Sequence, residues 1–217
     1  MRVRTFTGGG FGENAYLAIS ERSGAAVAVD PGAGTPGMLE ALAAEGLDLR
    51  AIVLTHSHID HVEGVPEVRA AVPDVPILLH PDALGMYRAA PQQAARFGLS
   101  IDALPEPTSA LEHGQRVDVG DEAFEVRHAP GHAPGHVILV ATDRSFALVG
   151  DVVFRGSIGR TDLPGGDFRT LMRSIREQVL TLPDATVLHS GHGPPTTVGD
   201  ERVGNPFLVP HYGGELA

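Results

Sequence analysis

The chain contains no cysteine. That absence excludes disulfides, thiolate nucleophiles and thiolate metal ligands, so any metal site must be built from imidazole and carboxylate, a donor set that suits zinc, iron or manganese. Lysine is missing too, and all 16 basic residues are arginine. Set against 27 acidic residues they leave a net charge of -11, which repels nucleic-acid phosphates and speaks against a nucleic-acid partner. No apolar run approaches the ~20 residues that a membrane span needs. The opening MRVRTFTGGG lacks the apolar core of a signal peptide and reads as a first strand. The expectation is a cytoplasmic protein with no membrane partner.

What is present is an ordinary globular composition: 217 residues, 42% hydrophobic and 20% charged, enough for one domain spanning 1–217. Short apolar or alternating runs (VRTFT, AYLAIS, AAVAVDPG, AIVLT, VPILLH) read as strands. Between them, residues 35–46 (TPGMLEALAAEG) predict a helix with Thr35 at the cap, Pro36 at the first position and Gly46 as the stop. VPEVRAAVP predicts a short second helix, and PDALGMYRAA begins a third. The pattern dissolves from about 90 to 112, so 85–112 is a candidate lid loop. QRVDV, AFEVRHA, HVILVAT and SFALVGD then predict an antiparallel meander, followed by a helix from Phe168 to Leu180, the strand ATVLHS and a loop-rich tail over 198–217. Each half carries strands plus helices, as two packed sheets covered by helices require.

The eleven histidines are more than a core of this size needs, and they fall where strands give way to Gly- or Pro-rich turns. His56, His58 and His61 follow AIVLT with Asp60 among them; His132 and His136 lie in HAPGHAPGH, His192 in HSGHGPP, and Asp151 closes FALVGD. In an extended segment alternate side chains share a face, so His56 and His58 are able to converge on one ion, while Asp60 and His61 follow as the chain turns. A zinc ion takes about four N/O ligands at ~2.0–2.2 Å, which one HxHxDH segment does not supply alone. Distant donors are required, and His132, His192 and Asp151 stand in suitable loops. His128, His132 and His136 are spaced by four, but the intervening prolines and glycines forbid the helix that would align them. His80, His113 and His211 read as structural or exposed, and His128 and His189 as packing within strands. Asp30, in DPG, is either a turn residue or a support for a metal ligand.

THSHIDH resembles the HxHxDH signature of the metallo-β-lactamase superfamily, and VDPG, HAPGHAPGH, LVGD and SGHG follow in that family's order over nearly the whole chain. APGHAPGH, GDVVFRGSIGRTDLPGGD and TTVGDERVGNPF look like the short, glyoxalase II-like (hydroxyacylglutathione hydrolase-like) members. The resemblance implies an α+β fold, the four-layer αββα sandwich, with a two-metal site between the sheets. By it, His56, His58 and His132 would hold one divalent ion, Asp60, His61 and His192 the second, and Asp151 would bridge them. His136 would then support the site without ligating. The implied activity is hydrolysis of a thioester such as S-D-lactoylglutathione by metal-activated water, with Asp60 and Asp151 orienting that water and zinc the expected metal (iron or manganese being alternatives). After the bridging aspartate, glyoxalase II enzymes carry a lysine and a tyrosine where this chain reads GSIGRTDLPGG. The carrier thiol is therefore left open, with Arg160 and Arg155 the candidates to pair with an acidic substrate group. Two rivals stand beside this reading: a mononuclear-iron persulfide dioxygenase, which shares the fold and a GRTD-like segment, and a hydrolase of another ester or lactam.

Overall fold

The computed structural model describes residues 1–209. The first half builds one six-stranded sheet from β1 (Arg2–Gly8), β2 (Glu13–Ile19), β3 (Ala25–Val29), β4 (Asp48–Val53), β5 (Ile77–Leu79) and β6 (Ser109–Ala110), in that spatial order. The first three strands run antiparallel, and β3 to β6 are mutually parallel. The second half builds another six-stranded sheet, ordered β14 (Thr196–Thr197), β13 (Val187–Ser190), β10 (Phe146–Gly150), β9 (Val137–Ala141), β8 (Glu122–His128) and β7 (Arg116–Val119). The expected meander is its β7–β10 half. A small ribbon, β11 (Val153–Phe154) and β12 (Ser157–Ile158), projects beyond it.

Period-2 alternation in these strands sets the layers. In β2, β3 and β4 one set of side chains (Leu17, Ala28, Ile52) faces an outer helical layer and the alternate set (Tyr16, Val29, Val53) faces the other sheet. In β9 and β10, Leu139 and Leu148 face inward, while Ile138 and Val149 pack on the opposite helices. Both faces of both sheets are thus covered, which is why these strands read as continuous apolar runs. The outer layer of the first sheet is α1 (Thr35–Glu45), α2 (Ile59–Val62), α3 (Val65–Ala71), α4 (Leu84–Arg88) and α5 (Ala90–Arg96). That of the second is α6 (Phe168–Ser174), which continues through a π turn over Ile175–Val179, together with α7 (Val198–Gly204). The result is the four-layer αββα sandwich.

Three local expectations are corrected. Thr35 lies one residue inside α1 rather than at its cap; Gly34 holds that place, and Thr35 Oγ1 donates back to Gly32 O at 2.7 Å. Gly46 does stop the helix, in the left-handed conformation at φ 63°. Within 85–112, α4 is the helix expected from PDALGMYRAA, but α5 is helical too despite Pro91, because proline at its first turn forfeits an N–H that has no helical partner anyway. In the tail, Val198–Gly204 is helical, its N-terminus capped by Thr197 accepting from Asp200 N. The rest of that tail from residue 210, His211 included, lies outside the described residues.

Four strand ends open on one side of the sandwich. The chain leaves β4 for the HxHxDH segment, β8 for the His132 loop, β10 for Asp151 and β13 for His192. β10 and β13 are parallel neighbours with Gly150 opposite Ser190, so Asp151 and His192 leave the sheet side by side. Val137 N donates to Thr55 O at 2.8 Å, tying the second sheet to the strand end that carries His56.

Candidate metal centre

His56 and His58 sit in extended backbone before α2, and His58 is its N-terminal boundary at φ -68°, ψ 150°. Their ring nitrogens, His56 Nε2 and His58 Nδ1, are 3.1 Å apart, and His132 Nε2 lies 2.8 Å from the same His58 nitrogen. Asp60, His61 and His192 make a second group: His192 Nε2 is 3.2 Å and His61 Nε2 3.8 Å from Asp60 Oδ2. Asp151 reaches both. Its Oδ2 is 3.5 Å from His132 Nε2 and 3.5 Å from His192 Nε2, and its Oδ1 is 3.5 Å from His61 Nε2.

Whether these residues fit metal ions is decided by where their protons must be. His61 Nδ1 donates to Asp30 Oδ2 (3.0 Å), His132 Nδ1 to Arg160 O (2.8 Å) and His192 Nδ1 to Phe11 O (3.1 Å), because each of those partners only accepts. Thr55 Oγ1 gives its own proton to Asp30 Oδ2 (2.5 Å), so His56 Nδ1 donates to Thr55 Oγ1 (3.1 Å). With Nδ1 committed, these four rings turn Nε2 to the centre, the orientation that outer partners impose on metal-ligating histidine, and any proton on Nε2 leaves when a cation binds. His61 Nε2 and Asp151 Oδ1 are buried and make no hydrogen bond. Ligands around a tetrahedral zinc lie about 3.3–3.5 Å apart, close to the spacings found here. Donors converging in this way fit two cations.

Charge placement agrees. Burial holds His56 well below the usual imidazole value and lowers His58 and His132 to about 4, which keeps them neutral and competent as ligands. Burial pushes His61 the same way, but Asp151, Asp30 and Asp60 together outweigh it and hold the ring well above its ordinary value. Burial likewise raises Asp60, yet the bond from His192 and the nearby His61 charge prevail and bring it to about 2.

Residues 8–192 match the model of the metallo-beta-lactamase superfamily. The chain belongs to the metallo-β-lactamase superfamily. It is a metallo-hydrolase of that superfamily, 35% identical to the hydroxyacylglutathione hydrolase GloC of Haemophilus influenzae over 91% of this chain and 93% of GloC. Among solved structures it is similar to TTHA1623 in a di-iron-bound form, at 42% identity and a TM-score of 0.86, covering 94% of this chain and 100% of that one. It is similar also to the BLEG-1 B3 metallo-beta-lactamase, at 36% identity and a TM-score of 0.89, covering 96% and 100%.

The metallo-β-lactamase frame explains the remaining site residues one by one. Asp30 is both turn and support: its φ is 48°, and its carboxylate accepts from Thr55 N (2.7 Å), Thr55 Oγ1 and His61 Nδ1. His136 lies under His56, the rings stacked at 4.7 Å, with its Nε2 accepting from Asp151 N at 3.1 Å. Outside the centre, His128 stacks on His80 at 4.2 Å and its N–H donates to His113, while His189 packs edge-on against Tyr16 and Phe146. Both arginine candidates have partners within the chain. Arg160 makes a two-bond fork to Asp162 at 2.7 and 2.7 Å, because residues two apart in this turn face each other. Arg155 donates to Pro195 O and does not line the cavity.

The strand β2 was expected from AYLAIS, but not the roles of Glu13, Asn14 and Tyr16 on it. Asn14 donates from Nδ2 to Ser190 O (3.1 Å) and Gly193 O (2.9 Å), and Tyr16 Oη to Ser190 O (2.5 Å), so this strand clamps the loop that carries His192. Glu13 is buried 4.0 Å from His61 Nδ1, and burial pushes its carboxyl up to about 10 against the opposing charge of His61. The signal was ENAY, polar groups opening a strand that is otherwise wholly apolar. A cavity of about 610 Å³ opens over the centre, walled by Phe11, Met86, Phe97, Phe154, Ile158 and Leu163 among others. α5 forms part of that wall, and Gln93 Nε2 donates to Ser57 O (3.0 Å) and Met86 O (2.9 Å), fixing the helix to the HxHxDH loop.

Proposed function

We propose that the chain hydrolyses thioesters with two divalent ions, held by His56, His58 and His132 on one side and by Asp60, His61 and His192 on the other, with Asp151 between. Bound there, the ions supply Lewis acidity, lowering the pKa of a water towards ~7 and polarising the substrate carbonyl. Asp60 and Asp151 accept hydrogen bonds from the attacking water and aim it at the carbonyl carbon. The apolar wall excludes bulk water, which strengthens every charge interaction inside.

One observation carries the choice of substrate. Apart from the metal-facing groups, the cavity lining holds no side chain able to protonate a leaving group near neutral pH: its other charged members are Arg96 and Arg160. An amine or alkoxide leaving group needs such an acid. A thiolate, with a thiol pKa of ~8.5, departs without one. The name of the GloC relative points the same way. That of BLEG-1 points to a lactam, whose leaving nitrogen does need a proton. Zinc is the first expectation for the metal, and the di-iron form of TTHA1623 makes iron the alternative.

The test is an acyl-thiol panel led by S-D-lactoylglutathione, run beside nitrocefin and glutathione persulfide on protein of measured metal content. Thioester cleavage well above the other two supports the proposal. Nitrocefin turnover alone, or oxygen uptake on the persulfide with one iron per chain, overturns it.

A further inference from the structure

The cavity has one charged group that the hydrolytic reading leaves without a task. Two guanidinium groups line it. Arg160 is neutralised by its fork to Asp162. Arg96, at the end of α5, has no hydrogen-bond or ion-pair partner among the described residues. The chain carries 27 acidic residues against 16 arginines, so an unpaired arginine is not for want of carboxylates. Its position is not loose either: one turn earlier Gln93 bonds to Ser57 O, in the segment between His56 and His58. The same helix thus touches the metal loop and presents a cation at the cavity lip.

Phe97 follows Arg96, and it meets Phe11 edge to face at 5.1 Å and 83°. Both rings are unusually open, 55% and 41% exposed, although the protein has ample core in which to bury aromatics. Phe11 is tied directly to the centre, since its carbonyl accepts from His192 Nδ1. Beyond this aromatic pair lies a second cavity of about 590 Å³, whose charged lining is Glu63 and Glu67. An anion is repelled from that side and drawn to the Arg96 side.

We propose that Arg96 binds the carboxylate of the substrate while Phe11 and Phe97 cover an apolar segment between that carboxylate and the reacting carbonyl. The preferred thioesters are then acid-ended and apolar in the middle. This rests on the thioesterase reading above. A guanidinium fork matches a carboxylate, and the flanking rings displace water from the pair. The lip stays partly wet, so the gain is set near tenfold rather than a hundredfold.

The experiment compares a thioester ending in a carboxylate with its uncharged carboxamide isostere, on wild type, Arg96→Ala and Arg96→Lys, with the carboxylate placed on the acyl side in one series and on the thiol side in another. Non-hydrolysable thioether analogues of each are titrated by calorimetry in parallel. Expected are a preference of about tenfold for the carboxylate in one series, its loss in Arg96→Ala through KM with kcat held within about twofold, and partial rescue by Arg96→Lys. The analogue affinities should follow the same order. Equal treatment of carboxylate and carboxamide by wild type, or an equal change for both in Arg96→Ala, overturns the proposal. If no thioester is cleaved at all, the thioesterase reading fails by itself, and the thioether titration still decides whether Arg96 holds a carboxylate.

Discussion

Replacing Gly191 with Ala tests the centre without removing any of its donors. Gly191 does not have a positive φ, so an alanine there meets no backbone penalty. Its Cβ, however, would stand 2.2 Å from Asp151 Oδ1 and 2.5 Å from His61 Cε1. Ordinary contact distances require each to retreat by about 1 Å. His61 is fully buried and cannot retreat, and Gly159 packs so tightly on Asp151 O that the Asp151 backbone is held in place, so its carboxylate must swing into the cavity. The expected outcome is about 1–3 kcal/mol of overpacking, metal affinity lowered about 10–100-fold as when a ligand's support is removed, and turnover lowered about 10²-fold for a misplacement of 1 Å. A chelator-competition titration gives the affinities, steady-state kinetics the rate, and a thermal melt shows that the variant is folded. A folded Gly191→Ala protein that binds two ions with wild-type affinity and turns over within about twofold of wild type would refute the geometry argued here.

Three further outcomes are expected. Asp151→Ala removes the side chain that reaches both donor groups, so metal content should fall below two per chain and turnover should vanish; retained turnover counts against the site. Asp30→Ala leaves Thr55 N and His61 Nδ1 without their acceptor, so denaturant melts should show a loss of about 2–3 kcal/mol and chelator competition an affinity loss of about 10–100-fold. For pH, His58 and His132 are lowered to about 4 and stay neutral from pH 8 down towards that value, whereas His61 is raised and must shed a proton before its group takes a cation. Loading the cation-free protein at pH 7 should therefore release about one proton or slightly more, from the Asp60–His61–His192 side, and affinity there should climb with pH. Calorimetry in two buffers of different ionisation enthalpy reads this directly, and release of no proton contradicts it. The same shifts act on folding: between 6.5 and about 4 the unfolded chain binds more protons at His58 and His132, so their contribution costs the cation-free protein stability as pH falls through that window.

The layers were legible because their cause is local. Alternation in β9 and β10 and the Pro36–Gly46 punctuation of α1 are properties of a few adjacent residues. The convergence of His56, His58, His132, Asp151 and His192 was legible only as motif order, since no spacing along the chain tells that β10 and β13 are parallel neighbours. The partner of Arg160 is local, Asp162 two residues on, but only the turn between them shows that the two side chains meet. Arg96 was missed because α5 hides in APQQAARF, where alanine and glutamine give no amphipathic contrast. Glu13 and Asn14 were missed because buried polar groups acquire meaning only from distant neighbours, His61 for Glu13 and Ser190 for Asn14.

The most direct measurement is turnover against metal content as cation-free protein is reloaded stepwise with zinc or iron. S-D-lactoylglutathione hydrolysis should rise with loading, reach its plateau at two ions per chain, and be abolished with the second ion in Asp151→Ala. Two ions bound with no thioester cleaved across the panel, or a plateau at one ion, would contradict it.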